Sequence, residues 1–356
     1  LSKCRALALG ILGVLGLLLI VFLISGNATA ADSGPLHYIG DSELAASPLV
    51  TGSGTEADPY VFTDHEFECA GSDYGLWIQG TTSHVRIENC AFLNCTTGAG
   101  HAIYLDDVSN ADVEGCRFSN CYFGIYAYLS DNCTFHNNDL TSTEGYGIMI
   151  SGSYWMEAIG NYDTMDYGPR FYGVMITNSA YVAINDTGLS GCTFGIGIYS
   201  STSVMIENAN IYGTSAYGFD LSTASDVRIT NSTVSDIEES YYAINAYDVS
   251  HIDISGNQFS SLEASTHGIY LSNCDNATIS NNSIGTTFRS IDVYRCENMT
   301  IAGNLCTNST DYAMHVIMIN GQVLNNTVRE SRTGLFLQEC ANVFVSGNQL
   351  ELMQGE

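Results

Sequence analysis

Residues 277–282 read Ala277-Thr278-Ile279-Ser280-Asn281-Asn282. The pattern returns as Thr300-Ile301-Ala302-Gly303-Asn304, as Val343-Phe344-Val345-Ser346-Gly347-Asn348 and, far upstream, as Val85-Arg86-Ile87-Glu88-Asn89-Cys90. Apolar and polar residues alternate, then two small or amide residues close the unit. Such a stretch is a short strand with one buried face, ended by a tight turn. Marking the apolar or Ala residue before each small pair gives positions 87, 113, 135, 158, 183, 206, 229, 254, 279, 301, 323 and 345, a mean spacing of about 23 residues.

A second strand opens each unit, as in Gly75-Leu76-Trp77-Ile78, Gly147-Ile148-Met149-Ile150, Gly195-Ile196-Gly197-Ile198 and Gly268-Ile269-Tyr270-Leu271. Two or three short β-branched strands per unit, with turn residues between and no helical stretch, predict an all-β, single-stranded parallel β-helix of about twelve coils. Ankyrin and tetratricopeptide repeats need helices, and leucine-rich repeats need a Leu scaffold. Coils of such a solenoid stack about 4.8 Å apart. The inward column reads Leu76, Ile103, Ile125, Ile148, Val174, Ile196, Phe219, Ile244, Ile269, Ile291, Met314 and Leu335. We expect residues 31–74 to form an N-terminal cap and first coil, and residues 75–356 the repeats.

Three residues past the marker, Asn257, Asn282, Asn304, Asn326 and Asn348 fall in successive coils. Each amide can donate to the next along the rod, and Asn tolerates the left-handed backbone of a tight turn. Cysteines share offsets too: Cys90 with Cys116, Cys95 with Cys121, Cys274 with Cys296. Neighbours at coil spacing can form disulfides or stand as stacked free thiols, and both readings stay open.

The 356 residues carry 10 Lys and Arg against 38 Asp and Glu. Lys3 and Arg5 lie in the first five residues, so the body holds eight Arg, no Lys and all the acids. A surface that negative repels phosphate backbones and disfavours nucleic acid. Behind Lys3 and Arg5, Ala6 to Ile24 is uncharged and apolar, an N-terminal hydrophobic helix, and Ala28-Thr29-Ala30 follows as an A-x-A cleavage site. Residues 1–30 therefore read either as a signal peptide or as an uncleaved membrane anchor, the chain's one membrane contact; in both cases the body lies outside the cell. Coil twelve runs to Glu356 without a capping helix or closing repeat. Two expectations follow, a longer chain or self-association through the open C-terminal coil.

The block Gly52-Ser53-Gly54-Thr55-Glu56-Ala57-Asp58-Pro59-Tyr60, followed by these repeats, resembles the opening of exported archaeal right-handed β-helix proteins of the NosD-like group in the pectin-lyase-like superfamily. The resemblance covers residues 36 to 356 and implies a secreted or cell-surface protein whose relatives include polysaccharide lyases, hydrolases and epimerases. It does not choose among them. The hydrolase motifs are incomplete: Asp106-Asp107 follows Gly100-His101, and Thr266-His267-Gly268 stands alone. The lyases use a Lys or Arg base over a calcium site, and the body has no Lys. Tyr217-Gly218-Phe219-Asp220 resembles the opening of the mannuronan epimerase motif without its remainder. No cofactor is required, and calcium is the ion the resemblance brings in. Copper handling would need clustered Met, His and Cys, and Met149 and Met175 alone share an outward column.

The site is therefore sought on the outer face. Outward residues of the opening strand include Trp77, Tyr104, Asp106, Tyr126 and Tyr128, an aromatic and acidic stripe suited to a glycan. The same tyrosines also suit a half-exposed strand and its cross-strand ladders. Asp292 and His315 share an offset in adjacent coils, with Arg295 close by, as a candidate acid/base pair beside a cation. A longer insertion is expected from Tyr154 to Tyr172, including Trp155, Asp163, Asp166, Tyr167 and Arg170. Ten N-x-S/T sequons, about twice the chance number, make Asn94, Asn132, Asn276, Asn298 and Asn308 glycosylation candidates. The reading that results is a glycan-binding, adhesive or structural envelope protein; the alternative is a polysaccharide-modifying hydrolase, lyase or epimerase.

Overall fold

The computed structural model describes residues 32–69, 71–96, 100–164, 170–237, 241–351 and 353. The leader or anchor of residues 1–30, and Asp166 and Tyr167 of the expected insertion, lie outside them. The described residues form a parallel β-solenoid of three sheets. One coil runs Tyr74–Thr81 in the first sheet, Val85–Glu88 in the second and Ala91–Leu93 in the third, and His101–Val108 then returns to the first sheet beside its own beginning. Leu36–Ile39, Tyr60–Thr63 and Glu66–Glu68 make a first coil of the same kind, interrupted by the helix Gly40–Ala46. The chain ends through Thr333–Leu337, Ala341–Ser346 and Gln349–Glu351.

Parallel strands need a crossover, and here the other two sheets supply it. Pairing follows the expected inward column without a break: Leu76↔Ile103, Ile125↔Ile148, Val174↔Ile196, Phe219↔Ile244, Ile269↔Ile291 and Met314↔Leu335. These side chains are buried up to Met314, and Leu335 packs against the core from its rim. One expected register is corrected. Ala158 pairs with Ile184, so residue 184 carries the marker and Ala183 faces outward. Because side chains alternate, that one-residue slip would have turned the strand inside out.

The amide column is a hydrogen-bonded ladder. Asn282 donates its backbone N–H and its Nδ2 to Asn304 Oδ1, both at 3.0 Å, and Nδ2 also donates to the Ile254 carbonyl at 2.8 Å. Asn304 repeats the arrangement toward Asn326, and Asn326 toward Asn348. Asn138 and Asn161 form a further rung that the spacing alone did not single out. The left-handed residue is not the ladder Asn but the one before it: Gly256, Asn281, Gly303, Asn325 and Gly347 all have positive φ, as does Asn231 at the same corner before Ser232. The alternation has a packing reason. A Cβ on Gly303 would stand 2.6 Å from Asn281 Oδ1, and one on Gly256 2.8 Å from Asn231 Oδ1, so each corner Asn folds over the glycine of the next coil.

Among the described residues one disulfide is present, Cys69–Cys95, with Cα atoms 5.0 Å apart. It joins adjacent coils, as expected of a stacked pair, but Cys95 takes Cys69 rather than Cys121. Cys90, Cys116, Cys274 and Cys296 are free and buried. Their thiols find hydrogen-bond acceptors inside: Cys90 Sγ donates to the Phe62 carbonyl and Cys116 Sγ to the Ile87 carbonyl.

Asn304→Ala leaves two donors of Asn282 without their acceptor in a dry interior and is expected to cost about 3 kcal/mol in urea unfolding; Asn281→Gly, at an exposed left-handed corner, should be close to neutral. Burial raises the thiols of Cys133 and Cys306 to about 12 and that of Cys121 to about 11. Iodoacetamide should therefore label the half-buried Cys340 of the native protein before Cys121, Cys133 and Cys306, which react only after unfolding, as peptide mass spectrometry would show.

Candidate functional site on the first sheet

The outward side of the first sheet carries two rows. The expected row contains Trp77, Tyr104, Tyr126, Met149 and Met175, then Asp220, Asn245, Tyr270, Asp292 and His315. A second row precedes it by three residues: Tyr74, His101, Phe123, Tyr146, Tyr172, Phe194, Tyr217, Tyr242 and His267, one aromatic or imidazole ring per coil over nine coils. Sequence reasoning missed this row, although its signal is plain: each member is followed by Gly or Ala. The small residue faces inward, where a Cβ on Gly195 would meet the Gly218 carbonyl at 2.5 Å and one on Gly147 the Gly173 carbonyl at 2.5 Å.

The rings stack along the rod. Centroids are 4.7 Å apart for His101–Phe123 and for Phe123–Tyr146, and 4.6 Å for Tyr172–Phe194, with planes within 15°. Trp77 lies between His37, at 3.9 Å, and Tyr104, at 5.3 Å, and Tyr104 stacks on Tyr126 at 5.2 Å. Ring faces are thus spent on one another, and what the expected platform of Trp77, Tyr104 and Tyr126 turns outward is edges and hydroxyls. Tyr128, 37% exposed, leans on Tyr126 at 6.2 Å. Asp106 accepts from Gln79 Nε2 at 2.9 Å, and burial raises its carboxyl above the ordinary value. Burial likewise pushes Tyr104 and Tyr172 up to about 12 and raises Tyr126, Tyr146, Tyr217 and Tyr242, so these phenols stay neutral and can donate hydrogen bonds. Between them, Tyr172 and Tyr199 share a hydrogen bond of 2.7 Å, Tyr199 donates to Asp220, and Asn245 Nδ2 donates to the other Asp220 oxygen at 2.7 Å.

Asp292 and His315 pair across adjacent coils as the spacing predicts. His315 Nδ1–H donates to Asp292 Oδ1 at 2.8 Å, and its Nε2 lies 3.5 Å from Gln338 Oε1. The cation, however, is Arg289. Its Nη1 donates to Asp292 Oδ2 at 3.0 Å and its Nε to Asp311 at 2.9 Å, while Phe288 and Tyr312 flank the guanidinium. Arg295 stands at a left-handed corner within the strand Ile291–Ala302, where its register shifts, and lies over Tyr294 at 4.9 Å. His267 Nδ1 completes the group, 3.4 Å from Asp292 Oδ2. Burial alone would raise the Asp292 carboxyl; contacts from His267, His315 and Arg289 outweigh it and hold the group below its ordinary value of 3.8. Burial opposes the charge on Arg289, but hydrogen bonds to Asp311 and Asp292 raise its pKa overall. One cation between two carboxylates, with two imidazoles at the edge, is an arrangement that can bind a polar ligand or move a proton.

The geometry bears on two further expectations. The first part of the expected insertion, residues 154–164, does not interrupt the coil: Tyr154–Ile159 and Tyr162–Thr164 are ordinary strands of the second and third sheets, and residues 165–169 lie outside the described residues. Asn94, Asn132, Asn276, Asn298 and Asn308 are all exposed, and all occupy left-handed corners. In Asn132-Cys133-Thr134 and Asn276-Ala277-Thr278 a corner Asn, an inward residue and a strand-opening Thr spell the sequon, so the corner chemistry of the repeat contributes to the number of sequons. Among the described residues one group gathers metal-ligating atoms, Asp112, Glu114 and His136, within 4.8 Å. His136 Nε2 is 2.7 Å from Asp112, which also faces Arg86 Nε at 3.4 Å. An imidazole and a guanidinium beside two carboxylates do not suit calcium, which takes six to eight oxygens.

These features define a three-sheet parallel β-helix with one decorated outer face. Residues 51–162 and 159–261 match the family described as right handed beta helix region, and the chain belongs to that family. Residues 235–355 also match the family described as periplasmic copper-binding protein (NosD). No curated protein matches the sequence. Among solved structures, the chain is similar to PfbA, a surface adhesin of Streptococcus pneumoniae, at 13% identity and a TM-score of 0.61, covering 79% of this chain and 83% of that one. It is similar to the A-module of the Azotobacter vinelandii mannuronan C-5 epimerase AlgE6 at 13% identity and 0.55, covering 89% of each. The catalytic unit of a GH87 alpha-1,3-glucanase from Streptomyces thermodiastaticus gives 13% and 0.52, covering 83% of this chain and 63% of that one. At such identities the likeness shows the fold.

Asp292→Asn removes one member of a buried charged group and is expected to cost about 3 kcal/mol near neutral pH. Because the folded carboxyl sits below its unfolded value, its contribution is full above about pH 4 and lost as pH falls through the lowered value. The gap between wild-type and variant melting temperatures should therefore close in acid.

Proposed function

We propose that this protein is an exported surface β-helix that holds a polysaccharide along the outer face of the first sheet. The observation that carries the reading is the unbroken run of nine rings beside a row of tyrosines and carboxylates, in register along the rod. A polymer is matched by a surface that repeats at coil spacing, and neutral phenols with carboxylates offer donors and acceptors to its hydroxyls. The contact is by hydrogen bonds from ring edges, since the ring faces are occupied. The strongly acidic body favours a neutral glycan over an anionic one. Similar folds in an adhesin, an epimerase and a glucanase support a carbohydrate or cell-surface role. The finer assignments, adhesion and the identity of the glycan, belong to this proposal.

A second reading rests on Asp292, His315, His267 and Arg289. Here His315 would move a proton, Asp292 would hold its ring in one tautomer and Arg289 would bind a polar substituent of the sugar. The two readings separate in one experiment. Residues 31–356 are incubated with neutral and uronic-acid polysaccharides, with and without calcium, and retention, reducing ends and unsaturated-product absorbance are followed together. Retention without turnover, weakened at least tenfold in a Tyr126→Ala, Asp106→Asn variant, is the expected result. Turnover abolished by His315→Ala would replace it with the enzymatic reading.

A further inference from the structure

The left-handed corner that opens the second sheet carries Asn276, Asn298, Asn320 and Asn342 in successive coils, residues suited to that backbone. Earlier on the same line stand Trp155 and Tyr181, both with φ of 57°. Bulky aromatic residues are outliers there, and strained positions of this kind cluster at ligand clamps and active sites. The two rings are parallel within 5°, 4.1 Å apart, and 61% and 48% exposed. The next position on the line is Ser203, so the far face of Tyr181 has only a serine beside it. Ser203 also opens a groove of about 420 Å³ along the second sheet, lined further on by Met205, Asp226, Arg228, His251 and Asp253, so that Tyr181 stands one coil before its near end. Arg228 Nε lies 3.6 Å from Asp253, and His251 Nδ1 lies 3.9 Å from Asp226.

Resting on the reading of this chain as a glycan binder, we propose that this groove is a second, separate sugar site that takes a neutral hexose unit. The ring's apolar face lies on Tyr181, which Trp155 backs from behind. Asp226, two coils beyond Tyr181, accepts from ring hydroxyls, and Arg228 of the same coil donates to them. Unlike the first sheet, the line offers an aromatic face rather than edges. Three carboxylates border Arg228 when Glu207 of the adjoining surface is included, which disfavours a uronate at this position.

Trp155 is one of two tryptophans, so its fluorescence reports on the site directly. Neutral hexo-oligosaccharides and uronate oligosaccharides are titrated into residues 31–356, wild type and variants. Tyr181→Asn and Trp155→Asn install the residue the corner carries elsewhere, and circular dichroism confirms that they fold. The proposal expects neutral sugars to change the emission, with affinity falling at least tenfold in Tyr181→Asn and in Arg228→Ala, and unchanged in Tyr126→Ala, Asp106→Asn. Neutral-sugar binding that survives Tyr181→Asn but is lost in the first-sheet variant overturns this site and leaves the wider reading standing. Uronate binding at Tyr181 overturns the neutral-sugar assignment. The absence of binding by every oligosaccharide, by fluorescence and by calorimetry, overturns both.

Discussion

The interaction on which everything else rests is the parallel backbone pairing of each coil with the next. A chain whose regular coils pair with one another every 21 to 27 residues must turn several sharp corners per coil, yet no buried N–H or C=O can be left without a partner. Left-handed corner residues make the turns possible. The amide ladder of Asn257, Asn282, Asn304, Asn326 and Asn348 then supplies acceptors for the N–H groups just inside one of those corners. Thr187 and Ser232 place a hydroxyl at the same position in other coils, and Ser232 Oγ accepts at 3.1 Å from the N–H of Ala209, which fills the position in the coil before.

Pairing also decides which side chains meet. In a solenoid, residues far apart in sequence come together only if they share an offset, so a site is either a column or something held over a column by a turn. Asp292 and His315 are a column. Arg289 is the other case: it stands in the turn between the third and first sheets and reaches over the strand that follows. Aromatic columns have a further consequence. At coil spacing, flat rings pack face to face, and a platform that looks open in sequence closes on itself in space. Only an interruption, such as Ser203 after Tyr181, frees a face.

Much of this was legible beforehand. Strand alternation and the recurring small pair placed the inward column of the first sheet residue for residue, because burial on one face makes register the most constrained property of a strand. The slip at Ala183 arose where the local sequence, Tyr181-Val182-Ala183-Ile184-Asn185-Asp186, offers two apolar candidates before the corner. Cys69 escaped notice as the partner of Cys95 because the first coil, broken by the helix Gly40–Ala46, lies outside the regular spacing. Arg295 was preferred to Arg289 because side chains in turns of variable length have no register from which to read their direction. The aromatic row was visible as a ring followed by Gly or Ala, a pairing that has meaning only once the small residue is known to sit against the next coil's carbonyl.

The two outer faces differ in what they can offer a ligand, and the difference follows from corner chemistry. On the first sheet the aromatic residues are strand residues, their backbone is relaxed, and their stacking stabilises the coil whether or not a ligand is present. On the second sheet Trp155 and Tyr181 occupy corners where Asn, Gly or Asp would cost less. Stacking against one another offsets part of that cost, but an Asn pair in adjacent coils does as well by hydrogen bonding, as Asn132 does with Asn110 at 2.7 Å and Asn342 with Asn320 at 3.0 Å. The aromatic pair therefore gains nothing for the fold that the commoner residues do not already supply. Stacking accounts for the ring faces of the first sheet and leaves their edges and hydroxyls to meet a ligand, whereas on the second sheet the exposed face of Tyr181 is itself what a ligand would cover.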